Sequence, residues 1–184
     1  QYFPLNVKMN KEGYADLDEV IAQGTHALSP EAFEVAANET GAVVLDVRHH
    51  NDFKKGHIPR AIFIGLDGGF APWVGTLISD VKQPILLVTP EGREEEAVTR
   101  LSRVGFDNTL GYLKGGFDAW RAANKEIDTI TSVQPTELKE VLKNKNIPVF
   151  DVRKETEYIS EHIPSAHNTP LSFLNDHLAE FPSN

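Results

Sequence analysis

The sequence predicts an α/β fold with a doubly wound parallel sheet, one complete unit followed by the first half of a second. Three observations carry this expectation. Helix-type and strand-type stretches alternate along the 184 residues, as in layered α/β folds. The apolar runs Val43-Val44-Leu45 and Ile85-Leu86-Leu87-Val88 are too short for helices and suit buried strands. The stretch from Asp46 to Ala61 also recurs at an offset of 105, from Asp151 to Ala166, with seven of sixteen positions identical. Chance would leave about one match, so the repeat marks duplication of a domain-sized unit.

Taken in order, residues 1–26 read as a connector. Tyr2-Phe3-Pro4-Leu5 is apolar and suits docking, Lys8 to Gly13 is turn-forming, and Asp16 to Gln23 is a short amphipathic helix stopped by Gly24. Ser29-Pro30-Glu31 supplies an N-cap, a first-position proline and an early acid. That helix should run to about Thr40 and bury Phe33, Val35 and Ala36. Strand 43–46 follows, and the Asp46 carboxylate can accept N–H groups of the next turn. Arg48 and Asp52 stand four apart, as do Arg153 and Glu157, a spacing that suits an ion pair on one helical turn. Gly56-His57-Ile58-Pro59 breaks that turn, because a residue before proline is pushed out of the α region.

Ala61 to Ile64 is a second strand. Leu66 to Gly75, with Gly68, Gly69, Phe70 and Trp73, reads as a packed surface loop; its glycines lack phosphate-loop spacing and no Lys-Ser/Thr pair follows. After strand 85–88 a loop turns into a helix ending near Val104, and a short strand spans 108–111. Gly115-Gly116 then allows a tight turn before a helix whose Trp120 packs inward. Residues 128–184 repeat the first half alone: a helix from Gln134-Pro135, a strand ending in Asp151-Val152-Arg153, the loop His162-Ile163-Pro164, and an amphipathic helix from Phe173 to Phe181. Such a half unit leaves a strand edge and apolar faces uncovered.

Asp46-Val47-Arg48, the acid Asp52, the aromatic Phe53, then Gly56-His57-Ile58-Pro59 and Ala61 resemble the opening signature of rhodanese-like (sulfurtransferase-fold) domains. Gly115-Gly116-Phe117 and Trp120 resemble the closing signature of the same family. The resemblance implies a rhodanese-type domain over 27–127 and a partial second one, in tandem, over 128–184. It assigns structural roles to Asp46, Arg48, Asp52, His57, Pro59, Gly115, Gly116 and Trp120, and in the second copy to Asp151, Arg153, Glu157, His162 and Pro164. The 66–75 stretch with the connector resembles more narrowly the rhodanese region of bacterial metallo-β-lactamase-fold persulfide dioxygenase–rhodanese fusions.

Rhodaneses move sulfur through a cysteine persulfide in a Cys-x-x-Gly-x-Arg loop, whose N–H groups surround the sulfur at a helix N-terminus. The corresponding stretch here is Thr89-Pro90-Glu91-Gly92-Arg93-Glu94. Aligned on Gly92, Thr89 replaces the nucleophile and Glu94 the arginine. Threonine cannot form a persulfide, Pro90 lacks an N–H, and Glu94, Glu95 and Glu96 consume the positive potential an anionic substrate would use. Arg93 lies one residue from the family's arginine position. No intact catalytic set is therefore expected.

The sequence contains no cysteine, which removes disulfides and thiolate metal sites. A net charge of −9 disfavours nucleic acid and anionic membranes as partners, and no apolar run is long enough to span a bilayer. His49-His50 reads as a surface turn, and neither a metal nor a cofactor is expected. The chain opens on Gln1, so a processed or excised piece is expected, with further N-terminal and C-terminal domains of the same chain as partners and a homo-oligomer as an option. The expected location is the cytoplasm. These observations point to a non-catalytic rhodanese-like region serving packing or partner contacts in a sulfur- or persulfide-handling protein. The alternatives are a fragment of an active thiosulfate or persulfide sulfurtransferase whose cysteine loop follows residue 184, and a small-anion sensor.

Overall fold

Ile85–Val88 forms the central strand of a five-stranded sheet, and all four of its side chains are buried. The computed structural model describes residues 17–145 and 147–182, in two units, 1–130 and 131–184. The first unit runs α1 (Leu17–Gly24), β1 (Ala27–Leu28), α2 (Pro30–Thr40), β2 (Val43–Asp46), α3 (His50–Lys55), β3 (Ile62–Phe63), α4 (Phe70–Leu77), β4 (Ile85–Val88), α5 (Glu94–Ser102), β5 (Thr109–Leu113) and α6 (Gly116–Ala122). The strands lie in the order β1-β5-β4-β2-β3, every pair parallel.

Strand alternation divides the core in two. Leu45, Ile85 and Leu87 face Val20 of α1, Val74 of α4 and Val98 and Leu101 of α5. Val44, Leu86 and Val88 face Phe33 of α2 and Phe117 and Trp120 of α6. Helices therefore cover both faces, as expected of a doubly wound sheet. Each fully buried large side chain contributes roughly 1.5–3 kcal/mol of hydrophobic stabilisation.

Helix α2 begins as the sequence implies, with Pro30 in its first turn and the Ser29 hydroxyl accepting the Ala32 N–H at 3.3 Å. Its buried face differs from the expected one. Phe33 is fully buried and Ala36 and Ala37 pack beside it, whereas Val35 is 51% exposed. Two residues turn a helix by about 200°, so Val35 cannot share a face with Phe33.

Three other expectations are corrected. The helix expected at 16–23 forms as α1, but its Val20 enters the core and Gly24 is buried, so 17–26 belongs to the first unit and is not a connector; residues 1–16 lie outside the described residues. The first unit extends past 127, because the Asp128 and His57 backbones exchange two hydrogen bonds of 2.9 Å and the Ile130 N–H reaches Lys54 O. The glycine-rich 66–75 stretch is a loop only up to Gly69. Phe70 and Val74, four apart and both buried, drive the following residues into α4 despite Pro72 and Gly75.

The second unit comprises α7 (Pro135–Asn144), β6 (Phe150–Asp151), α8 (Glu155–Ser160), β7 (His167–Asn168) and α9 (Leu174–His177). Strands β6 and β7 pair in parallel with the same register as β2 and β3 at the offset of 105. The helix expected from Phe173 to Phe181 is instead α9 flanked by two 3-10 turns, Leu171–Phe173 and Leu178–Glu180. Among the described residues of this unit, Ala166 and Thr169 alone are buried. No helix among the described residues is long and apolar enough to cross a membrane.

Candidate functional site

Beyond the carboxyl ends of β2 and β4, where parallel α/β sheets hold ligands, lies a cavity of about 630 Å³. The segment after β2 builds one wall, the 89–94 loop a second, and the start of α6 a third.

The wall after β2 is organised by Asp46, whose carboxylate is fully buried. It accepts the Arg48 backbone N–H at 3.1 Å and a two-pronged contact from the Arg48 guanidinium at 2.6–3.0 Å. Arg48 also donates to Gly56 O at 2.8 Å, tying the end of α3 to the strand. This corrects the helical pairing expected of Arg48 and Asp52. Arg48 precedes the helix, whose N-cap is His49, so the two are not on one turn; Asp52 pairs loosely with Lys55 at 3.6 Å. His57 packs within its own segment: its ring stacks on Phe53 at 4.0 Å and Nδ1 lies 3.0 Å from Phe53 O. The turn at Pro59 places Arg60 in the left-handed region, at φ 64°.

The same frame recurs in the second unit. Arg153 forks onto Asp151 at 2.5–3.1 Å and donates to Glu161 O at 2.8 Å. His162 stacks on Tyr158 at 3.9 Å, and Ser165, after Pro164, has φ 72°. Glu157 does not pair with Arg153 as its spacing suggests; it turns back to accept the Lys154 N–H at 3.3 Å. The Asp151 carboxyl is held below the usual carboxylate range, first by the Arg153 side chain and then by its backbone N–H.

In the 89–94 loop, Thr89 is buried and its hydroxyl donates to Glu94 Oε1 at 3.3 Å. The same oxygen accepts the Gly92 N–H at 3.2 Å. A carboxylate of the chain itself thus occupies the donor set that a bound anion would need. Arg93 does not compensate. Its guanidinium turns away to Glu96 at 2.8–2.9 Å and Asp67 at 2.9 Å, which hold its pKa above the ordinary value. Arg93 and Arg100 in turn hold Glu96 below the usual range, Arg93 contributing most.

On the third wall, Gly115 and Gly116 are both left-handed, at φ 75° and 61°, a pair of conformations that side chains resist. They start α6 close to Thr89. Trp120 packs inward and its indole N–H donates to Glu126 O at 2.8 Å. Phe117 and Arg121 were missed as site residues. The guanidinium carbons of Arg48 and Arg121 lie 4.4 and 5.0 Å from the centre of the Phe117 ring, a double cation–π arrangement. The four-residue spacing of Phe117 and Arg121 on one helix face was the available signal. Four carboxylates (Asp52, Glu91, Glu94, Asp118) line the cavity against the cations Arg48, Lys55 and Arg121, each of which has an acidic partner. Among the described residues no cluster of three or more His, Asp or Glu is placed to hold a metal ion.

The rhodanese-like domain family matches residues 29–123 and 134–184. The chain belongs to the rhodanese-like domain family. It is 33% identical over 88 residues to the uncharacterized protein YibN of Escherichia coli K12, covering 47% of this chain and 61% of YibN. The thiosulfate sulfurtransferase GlpE of Pseudomonas savastanoi pv. phaseolicola is 31% identical over 88 residues, 47% of this chain and 79% of GlpE. The crystal structure of the Alr3790 protein from Anabaena sp. superposes with a TM-score of 0.50 at 22% identity, covering 64% of this chain and 92% of that one, a likeness of fold. The rhodanese-like chain is thus related to sulfurtransferases, and its sheet is parallel and doubly wound as expected, with β1 (Ala27–Leu28) as a fifth strand that the sequence did not announce.

Proposed function

We propose that the first rhodanese-like unit is a non-catalytic contact module of a sulfur- or persulfide-handling protein. The observation that carries this is Glu94, which fills its own loop by accepting from Thr89 and Gly92. Sulfur transfer needs a thiolate that attacks the sulfane sulfur, and threonine offers only a hydroxyl, whose oxygen cannot carry a persulfide. The loop further lacks an N–H at Pro90, and a carboxylate stands where thiosulfate would bring two negative charges. In this reading the two units are a tandem of rhodanese-like domains, in a cytoplasmic protein whose other domains are the partners. A fusion to a metallo-β-lactamase-fold persulfide dioxygenase fits the same reading. The experiment is the transfer of sulfur from thiosulfate to cyanide by the 1–184 chain. No thiocyanate above the buffer blank is expected, and turnover by the purified chain would overturn the proposal.

A second reading is favoured by the recurrence of the Asp46–Arg48 frame at Asp151–Arg153. Here the parent protein is an active thiosulfate or persulfide sulfurtransferase whose cysteine loop follows residue 184. Sequencing the gene past that point decides it, since a Cys-x-x-Gly-x-Arg motif shortly downstream is required.

A further inference from the structure

In the first unit the inner face of α2 is covered by α6 and the residues after it. Phe33 meets the Trp120 ring edge-on, with centroids 6.1 Å apart at 75°. Five residues beyond Trp120, Lys125 reaches Glu34 on α2 at 2.5 Å. Aromatic anchor and charge together seat that segment.

At the offset of 105, Phe33, Ala37, Ala42 and Ile58 correspond to Leu138, Leu142, Ile147 and Ile163. Those four line an open groove of about 580 Å³ on the second unit. No residue of α7 is buried, although its apolar residues lie along one side, a pattern that ordinarily marks a face packed against a partner. The counterpart of Glu34 is Lys139, so the charge at the equivalent position is inverted. Lys143 and Lys145 add positive charge at the rim; Lys143 pairs with Glu140, whereas Lys139 and Lys145 have no ion pair among the described residues.

We propose that this groove seats a partner segment that carries an aromatic side chain and, five residues further on, a carboxylate facing Lys139. The aromatic takes the place that Trp120 holds in the first unit, and the carboxylate takes that of Lys125 with the opposite sign. The chain's own α6 segment is disfavoured there, because Lys125 would meet Lys139 and like charges at matched positions reject a wrong partner. A second copy is therefore not the occupant.

The proposal rests on the contact-module reading above, but the thiocyanate assay reads the first unit and the following titrations read the groove, so the two failures are separable. The probe is a fluorescent synthetic peptide of residues 108–126 with Lys125→Glu, titrated with the full 1–184 chain. It should bind saturably and about two- to fivefold more tightly than the unchanged peptide, the scale of one exposed charge pair. Trp120→Ala within the peptide should weaken it about tenfold or more. Lys139→Glu in the chain, an exposed substitution, should invert the preference between the two peptides. Exchange of the peptide into the first unit would be blind to Lys139, so an unaltered preference overturns the proposal. Absence of saturable binding by either peptide overturns it too, as does a dimer in sedimentation that Lys139→Glu abolishes, which would make a second copy the occupant.

Discussion

The Glu94 carboxylate lies 3.3 Å from the Thr89 hydroxyl, across the mouth of a loop that would otherwise face an anion. Restoring a thiol there is consequently a two-part problem. Thr89→Cys alone should give poor sulfur transfer, because the introduced thiolate would stand beside a carboxylate. At ~4 Å and an effective dielectric of ~40, that repulsion costs about 2 kcal/mol, and salt reduces it. Adding Glu94→Gln should therefore raise kcat/KM for thiosulfate up to about thirtyfold at low salt and less at high salt. Replacing Pro90 as well should add a further gain by supplying its missing N–H. Equal activity of the single and triple variants would show that neither feature disables the loop.

The two copies of the Asp–Arg fork differ in burial, and their removal should differ accordingly. Asp46 is fully buried, and Asp46→Ala leaves Arg48 without its partner. A loss of about 3–5 kcal/mol is expected from urea unfolding followed by tryptophan fluorescence, which reads the first unit through Trp73 and Trp120. Arg153 is 47% exposed, so Asp151→Ala should cost less. Equal losses would mean that burial does not set the strength of the fork.

The Asp151 carboxyl also makes a prediction about pH. Its folded pKa is depressed, so its stabilising contribution is complete above the unfolded value of about 3.9 and disappears as pH falls through the folded value. The Arg153 Nε–H resonance should stay unchanged between about pH 5 and 8 and shift only below about pH 4. A transition above pH 5 would contradict the fork.

Helix α2 supplies a packing test. Phe33→Ala should cost about 3–5 kcal/mol, while Val35→Lys should stay within about 0.5 kcal/mol, both by chemical denaturation. The reverse ranking would restore the face that the sequence suggested.

Much of the fold was legible because strong local signals coincide with burial. Ile85 to Val88 could only be a buried strand, Ser29-Pro30 only a helix start, and Gly115-Gly116 only a turn. What was not legible depended on tertiary placement. Arg48 chose Asp46, two residues back across a strand end, over Asp52, because the helix begins only after His49. The helix after Gly69 forms against its poor local propensity because Phe70 and Val74 have a core to enter. At the site, the lack of a cysteine in the 89–94 loop could be read directly from Thr89. The return of Glu94 to Gly92 could not, since that contact depends on the rotamer of a side chain at a helix start.

The second unit exposes Ile159, Phe173 and Leu178 at 71%, 60% and 58%. Expressed alone, residues 131–184 should unfold without a cooperative transition and without a sharp near-ultraviolet signal. A concentration-independent, cooperative melt of that segment would contradict the expectation.

Gly24 carries a consequence for where this protein can be cut. A β-carbon there would lie 2.7 Å from the Val98 methyl groups, so the bare backbone of α1 rests directly on α5. The family match begins at residue 29 and leaves this helix out. A fragment trimmed to that boundary would strip a roof from Val98 and Leu101, and amide exchange along α5 should accelerate while the 89–94 loop loses its rigid footing. The smallest autonomous piece of this chain is therefore longer than its family resemblance, and α1 belongs to it as a structural keystone.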